Sequence, residues 1–271
     1  MLGKLIKHEL RHSARYHFAI LVATVAVTAV VALSLVTDST LLTVLASLGL
    51  AFTGIATIII TVVSIIKNFY DTMFTRLGYL TMTLPVKGSM LLLSKIIVAI
   101  IWVIAGFIAM AVPYSLMFFY AKQKVEVFTD VIGDAITSFS AMLPSAGAII
   151  SFLVVMLIFA FLYIITYIGY IYFSVAVANT GAFQKHPKLY GGLTFFAILS
   201  VVTKIGSLLG QIVPLTFNIS QDKAFFAFEA MGHVKDAMVS YPVADTVFAA
   251  MVGIGLLFAT GYIIENKINI K

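Results

Sequence analysis

Lys204 lies about halfway along a long apolar stretch, where a charged side chain is unexpected. A charge inside a bilayer is costly, and it usually faces a cavity, a partner chain or the protein interior. The alternative is that Lys204 snorkels to the interface along a span that begins later in the sequence. Gly206 and Gly210 follow it at a spacing that lets a second helix approach closely. We predict that these three residues lie in a transport pathway or at a subunit interface.

Another apolar stretch carries five aromatic residues at spacings of seven, four, four and three. On an α-helix these spacings place all five side chains within about 80° of one another, as a single stripe. Tyrosine hydroxyls deep in lipid need hydrogen-bond partners. A polar aromatic pathway for an amphipathic substrate would supply them, and packing against neighbouring helices is the other interpretation. The residues of this aromatic stripe are Phe152, Phe159, Tyr163, Tyr167 and Tyr170.

The sequence contains no arrangement of residues that is typical of an enzyme. It has no glycine-rich P-loop ending in Lys-Ser or Lys-Thr for ATP, and no His-Glu-x-x-His metal motif. His8 and His12 share a helical face, but in a basic segment we expect both to be solvated. The chain has no cysteine, which excludes disulfides and thiolate chemistry. We therefore predict no catalytic residues, no metal site and no cofactor bound by this chain.

Six apolar stretches must position these residues, and each reaches the roughly 20 residues needed to cross a bilayer. Hydrophobic residues make up 62% of the 271 residues and charged residues only 10%. We predict an all-α membrane protein with a single transmembrane domain over residues 1–271, and a tight hairpin between the first two spans. The predicted spans lie near 17–36, 41–66, 93–119, 147–176, 191–215 and 243–264.

Basic residues gather in every second gap between the spans, and Lys and Arg mark the cytoplasmic side of a membrane protein. The N-terminus, the 67–92 loop, the 177–190 loop and the C-terminus carry most of them. Both termini are therefore predicted to be cytoplasmic. The net charge of +6 favours anionic lipid headgroups over nucleic acid, because the basic residues lie at membrane edges. We expect no cleaved signal peptide, because the first apolar run is longer than such segments usually are.

Three segments outside the spans show an apolar face at helical spacing. Residues 1–16 are predicted to form an amphipathic helix on the cytoplasmic surface, with a plain charged anchor as the alternative. Residues 125–139 and 222–239 are predicted to form helices at the outer interface. The apolar face of the last segment would consist of Phe225, Phe228, Met231, Val234 and Met238.

Residues 67–85, between the second and third spans, are also predicted to form an amphipathic helix. Its apolar residues recur at helical intervals, and no soluble domain of this chain covers them. An exposed apolar ridge of this kind needs a partner protein or a headgroup surface to bind it. The residues assigned to this contact are Tyr70, Met73, Phe74, Leu77, Gly78, Tyr79, Leu80, Leu84 and Pro85.

Part of this segment resembles a family motif. The stretch GYLTMTLPV at 78–86, followed by LLLSK at 91–95, is similar to the Gly-Tyr-Leu-Thr-x-Thr-Leu-Pro-Val and Ser-Lys motif of bacterial ABC-transporter permeases of the type-2 exporter class. The resemblance extends to the N-terminal surface helix, the six spans and the inward termini. Arg76 and Leu77 stand where family members often carry an acidic residue, so the charge contacts with a partner ATPase are expected to differ.

The resemblance implies the membrane subunit of an ATP-driven exporter in the bacterial plasma membrane. Two permease chains, identical or different, would pair with two separate ATPase chains that bind ATP and Mg²⁺. The 67–85 helix would be the coupling helix, and the cargo would be amphipathic, such as a peptide, a drug or a lipid-like molecule. Two other classes remain open: a secondary transporter that does not depend on an ATPase, and a non-transporting membrane anchor or sensor subunit.

The predicted orientation is testable because the chain contains no cysteine. Asp38→Cys, Asp130→Cys and Ala230→Cys should react with an impermeant thiol reagent in intact cells. Tyr79→Cys and His186→Cys should react only after the cells are opened, because the bilayer keeps the reagent out of the cytoplasm. The reverse labelling pattern would place the predicted coupling helix outside the cell, away from ATP, and would contradict the orientation.

Overall fold

The computed structural model of the chain describes residues 2–37, 39–75, 88–127, 145–181, 183, 185–230 and 237–266, with the backbone alone for residues 16, 118–127 and 266. Within these residues the chain forms long helices, and a small sheet precedes the last helix. The elements in chain order are α1 Leu2–Thr37, α2 Thr40–Phe74, α3 Gly88–Val127, α4 Ala146–Ala178, α5 Pro187–Ile212, β1 Leu215–Ile219, β2 Ala224–Phe228, β3 Val239–Pro242 and α6 Ala244–Asn266.

Each of these helices contains a segment that is long and apolar enough to cross a membrane. An α-helix satisfies its backbone hydrogen bonds internally, which is what hydrocarbon surroundings require. The chain is thus a candidate multi-pass membrane protein, and the predicted set of six long apolar helices is confirmed. The segments are His17–Thr37, Thr40–Phe74, Gly88–Met117, Ala146–Ala178, Pro187–Ile212 and Ala244–Glu265.

α1 is one uninterrupted helix of 36 residues, so the predicted separate surface helix over residues 1–16 is not observed. Lys4, Lys7 and Arg11 are exposed on its first turns, as the pattern predicted. Glu9 and Ser13 on the other side are buried, because α1 packs against α2 and α3. Because of this packing, the helix that contains the first apolar segment begins at Leu2.

Helices α1, α2 and α3 belong to one compact unit, Met1–Ile136. Only two residues separate α1 from α2, which confirms the predicted tight hairpin. The buried face of α2 carries a row of polar residues among apolar ones, whereas Ile55, Ile58 and Ile59 on its other side are exposed. Polar side chains inside and apolar side chains outside suit a helix bundle in hydrocarbon. The buried polar residues of α2 recur every three or four positions: Thr53, Thr57, Thr61, Ser64, Asn68 and Thr72.

Helices α4, α5 and α6 and the sheet belong to a second compact unit, Thr137–Lys271. Within it, α4 and α6 approach each other at two glycines. A Cβ atom added to Gly169 would lie 2.4 Å from the carbonyl oxygen of Gly253, and one added to Gly253 would lie 2.7 Å from Cα of Thr166. Only glycine allows two helix backbones to come this close.

One strand of the sheet, β2, occupies residues that the sequence predicted to be helical. β1 lies between β2 and β3, and both neighbours are antiparallel to it. Within the described residues 222–230 and 237–239 the helix prediction was therefore wrong, and the all-α class must include this sheet. The aromatic run Phe225–Phe226 favours a strand, and the turn before it is closed by a 2.9 Å bond from Ser220 N to Lys223 O.

The other predicted outer helix, over residues 125–139, lies mostly outside the described residues. Its first three residues belong to the end of α3. The structure therefore does not test the remainder of that prediction.

Gly253→Ala should destabilise the second unit, because the new methyl group would overlap Thr166 of α4. Overpacking of this kind costs about 1–3 kcal/mol. Thermal unfolding of the detergent-purified protein would measure the loss. Gly255→Ala is the matched control, since a Cβ at Gly255 would meet no atom of another element within 4 Å among the described residues. Equal effects of the two substitutions would contradict the close approach of α4 and α6.

Candidate functional site

The described part of the predicted coupling helix is the end of α2. Met73 is fully buried, so in this structure it packs inside the first unit and is not part of an exposed ridge. Tyr70 and Phe74 are partly exposed, and their ring centroids lie 6.3 Å apart. The remaining predicted contact residues, Leu77, Gly78, Tyr79, Leu80, Leu84 and Pro85, lie outside the described residues.

The aromatic stripe of α4 contacts the sheet with its first two members. The ring of Phe152 stacks on Phe217 of β1 at 5.5 Å, and the ring of Phe159 stacks on Tyr241 of β3 at 5.0 Å. Burial raises the pKa of the Tyr241 phenol, and its oxygen accepts a hydrogen bond from Thr246 Oγ1 at 3.2 Å. These contacts give the stripe a packing role at the end of α4 nearest the sheet.

The three tyrosines of the stripe find their partners on α6 and on one another. Tyr163 Oη lies 3.4 Å from Thr246 Oγ1, and Tyr170 Oη donates to the carbonyl oxygen of Ala249 at 3.4 Å. Tyr167 is 43% exposed, and its ring lies 6.3 Å from that of Tyr163 and 5.9 Å from that of Tyr170. The structure thus brings the predicted stripe together, and contacts within the unit already account for the hydroxyls of Tyr163 and Tyr170.

Lys204, Gly206 and Gly210 of α5 have different surroundings. Lys204 is exposed. Gly206 is buried, and a Cβ atom added to it would lie 3.2 Å from Cβ of Asp245 at the start of α6. A Cβ added to Gly210 would meet no atom within 4 Å among the described residues. Of the three residues, only Gly206 therefore lies against a neighbouring helix.

Sequence reasoning missed a buried polar cluster that joins α1, α2 and α3. Lys95 of α3 forms an ion pair with Glu9 of α1, with 2.6 Å between Nζ and Oε1. Asn68 of α2 donates from Nδ2 to the other carboxylate oxygen of Glu9 at 2.9 Å. Lys95 Nζ also donates to Thr72 Oγ1, one turn further along α2. We call Glu9, Asn68, Thr72 and Lys95 the polar cluster.

Burial makes the polar cluster unusual. The Lys95 side chain is 0% exposed, and Glu9, Asn68 and Thr72 are also buried. Lys95 lies inside the first unit, and its charge is matched by Glu9. A buried ion pair is tolerated when further hydrogen bonds satisfy both groups, and here Asn68 and Thr72 provide them.

A second polar contact between α1 and α3 lies next to the cluster. Ser13, one turn after Glu9, accepts a hydrogen bond from Trp102 Nε1 at 2.7 Å. The Trp102 ring stacks on the imidazole of His17, with 3.9 Å between centroids and 9° between planes. His17 Nδ1 lies 3.2 Å from the carbonyl oxygen of Ser13, and Nε2 has no hydrogen-bond partner among the described residues. Residues on α1 and α3 thus continue the polar contact into the first apolar segment.

The spacing of polar residues was a signal that could have revealed this site. Glu9, Ser13 and His17 repeat every four positions, opposite the exposed basic side chains of α1. The buried polar residues of α2 repeat in the same way and end at Asn68 and Thr72. Polar residues at helical spacing inside apolar helices must face the protein interior. Two such stripes in neighbouring spans therefore indicate a shared polar interface.

Chemically, the polar cluster can hold three helix ends together. Among the described residues, no group of three or more His, Cys, Asp or Glu side chains is placed to bind a metal ion. Comparisons of this chain with models of protein families, with curated proteins and with solved structures found no match. Proposals about function therefore depend on the sequence motifs and the structure of this chain.

Removing one partner of the ion pair should lower the stability of the protein far more than removing both partners. Lys95→Met leaves the Glu9 carboxylate buried without its cation, which costs about 3–5 kcal/mol. The double variant Glu9→Gln, Lys95→Met removes both charges with little change in volume, and its stability should be close to that of the wild type. Thermal unfolding in detergent compares the variants. A double variant as unstable as Lys95→Met would contradict the pairing.

Proposed function

We propose that this chain is the membrane subunit of an ATP-binding-cassette exporter that moves an amphipathic substrate outward. The observation that carries the proposal is the stretch GYLTMTLPV at 78–86 with LLLSK at 91–95, which resembles the motif of type-2 permeases. This stretch follows the end of α2 at Phe74 and reaches into α3, and both of these helices are apolar and long enough to cross a membrane. ATP hydrolysis is assigned to a separate partner chain, because this sequence has no P-loop.

The surroundings of Lys95 support this proposal. Lys95 is the last residue of the stretch that resembles the family motif, and it forms the centre of the polar cluster. This lysine joins three helices beside the segment between α2 and α3. Such a link is expected if a partner protein exerts a force on that segment. The basic residues at the same ends of the helices favour a cytoplasmic position for it, on the side where ATP is present.

The proposed assembly contains two permease chains and two ATPase chains in the bacterial plasma membrane, with the permease termini in the cytoplasm. When the two ATPase chains close on ATP, they would push on the 67–85 segment. This movement would change the side from which the transport pathway is accessible, from the inner to the outer side of the membrane. We assign Lys204 and Gly210 to the pathway or to the contact with the second permease chain. Lys204 is exposed on a single chain, and a charge in a span needs water or a partner.

Glu9 and Lys95 favour a second candidate function. Proton-coupled secondary transporters carry charged groups within their helices, and the buried carboxylate–amine pair is a group of this kind. Proteoliposomes that contain this chain alone would separate the two functions. Proton uptake that is driven by a membrane potential and is abolished in Glu9→Gln would favour the secondary transporter. Absence of proton uptake, together with binding of an ATPase in a separate assay, would favour the exporter.

Leu77→Asp or Leu80→Asp should prevent association with the partner ATPase. Each substitution places a charge in a contact predicted to be apolar, and its desolvation should cost on the order of 2 kcal/mol or more. Co-purification of the ATPase with tagged permease measures the association. Phe183→Asp is the matched control, because Phe183 is 37% exposed in another loop predicted to be cytoplasmic. Wild-type co-purification of both leucine variants would rule out this contact.

A further inference from the structure

We infer that the Glu9–Lys95 ion pair transmits a displacement of the segment between α2 and α3 to α1, so that the three helices respond together to the ATPase. The inference rests on the proposed function, because it takes that segment as the contact with the ATPase. Glu9 and Lys95 are positioning residues in this role. Neither residue needs to touch ATP or cargo.

The polar cluster holds both ends of the segment. Thr72 lies in the last turn of α2, and Lys95 lies about two turns into α3. Lys95 Nζ donates to Thr72 Oγ1, so a direct hydrogen bond ties the helix that enters the segment to the helix that leaves it. A force on the segment therefore acts on two helix ends that are already joined.

Glu9 adds α1 to this pair of helices. Its Oε1 accepts from Lys95 of α3, and its Oε2 accepts from Asn68 of α2. A single carboxylate thus attaches α1 to both neighbours. Partial separation would leave a buried ion without its partner, which is strongly unfavourable. Apolar helix contacts, in contrast, allow small sliding movements of packed helices.

The contact between Ser13 and Trp102 extends the link along α1. Trp102 Nε1 donates to Ser13 Oγ one turn beyond Glu9, and the Trp102 ring stacks on His17 after a further turn. His17 is the first residue of the apolar segment of α1. A displacement of α1 at Glu9 would therefore continue into the part of the helix that can cross the membrane.

Two single-cysteine reporters can test the inference, because the chain has no cysteine of its own. His8→Cys reports on α1 and Ser89→Cys reports on α3, and both native side chains are exposed. The permease–ATPase complex is placed in lipid nanodiscs. The rate of reaction with a water-soluble maleimide is measured without nucleotide and with ATP plus vanadate. Each reporter is combined with the wild-type cluster, with Glu9→Gln, Lys95→Met, and with Ser64→Ala.

With the wild-type cluster, ATP plus vanadate should change the labelling rate at both reporters. In the double variant the change should persist at Ser89→Cys and be lost at His8→Cys, because α3 still adjoins the segment while α1 is no longer tied to it. Ser64→Ala should keep the change at both reporters, since it removes a buried hydroxyl of α2 outside the polar cluster.

Two results would overturn the inference while leaving the proposed function intact. One is a nucleotide-dependent change at His8→Cys that survives in the double variant. The other is loss of the change at both reporters in the double variant, which would make the pair a general structural requirement. If the double variant cannot be purified, Asn68→Leu, which removes one of the two bonds to Glu9, should reduce the change at His8→Cys alone. Absence of any change with the wild-type cluster would overturn the proposed function, and the inference with it.

Discussion

Hydrocarbon offers no hydrogen bonds, and this constraint governs where the polar side chains of the apolar helices lie. Many threonines and serines of these helices bond a carbonyl oxygen of their own helix, as Thr24 does with Ile20 and Thr57 with Thr53. A buried charged group needs more than a hydrogen bond to a carbonyl oxygen of its own helix. Lys95 therefore needs partners from other helices, and its bonds to Glu9 and Thr72 bring α1, α2 and α3 together at one end.

The two units meet the same constraint in different ways. In the first unit, charge pairing and hydroxyl stripes define the contacts between helices. In the second, Gly169 and Gly253 let the backbones of α4 and α6 come close, and stacked aromatic rings join α4 to the sheet. A charge cluster strongly resists separation, whereas glycine crossings and ring stacks depend on close packing. The first unit is thus the better suited to transmit a force, and the proposed ATPase contact adjoins it.

The position of the polar cluster connects the fold to the proposed exporter. The cluster lies where α2 ends and α3 begins, and the segment between them carries the stretch that resembles the permease motif. To transmit a displacement, the contact segment must be tightly bound to the helices beside it. If it were weakly bound, the segment would move without moving the helices. Lys95 provides such an attachment and is itself part of that stretch. In the proposed exporter, the motif and the polar cluster therefore belong to the same region.

The sequence by itself determined the number and order of the apolar helices, because apolarity over about 20 residues is a local property that any tertiary arrangement must accommodate. It also determined that the aromatic residues of α4 share one face, since helical geometry alone places them there. Only the tertiary structure decided that Glu9 meets Lys95, 86 positions away, and that residues 224–228 form a strand paired with β1. Spacing within a segment describes its own faces, but the partner of each face depends on contacts between segments distant in the chain.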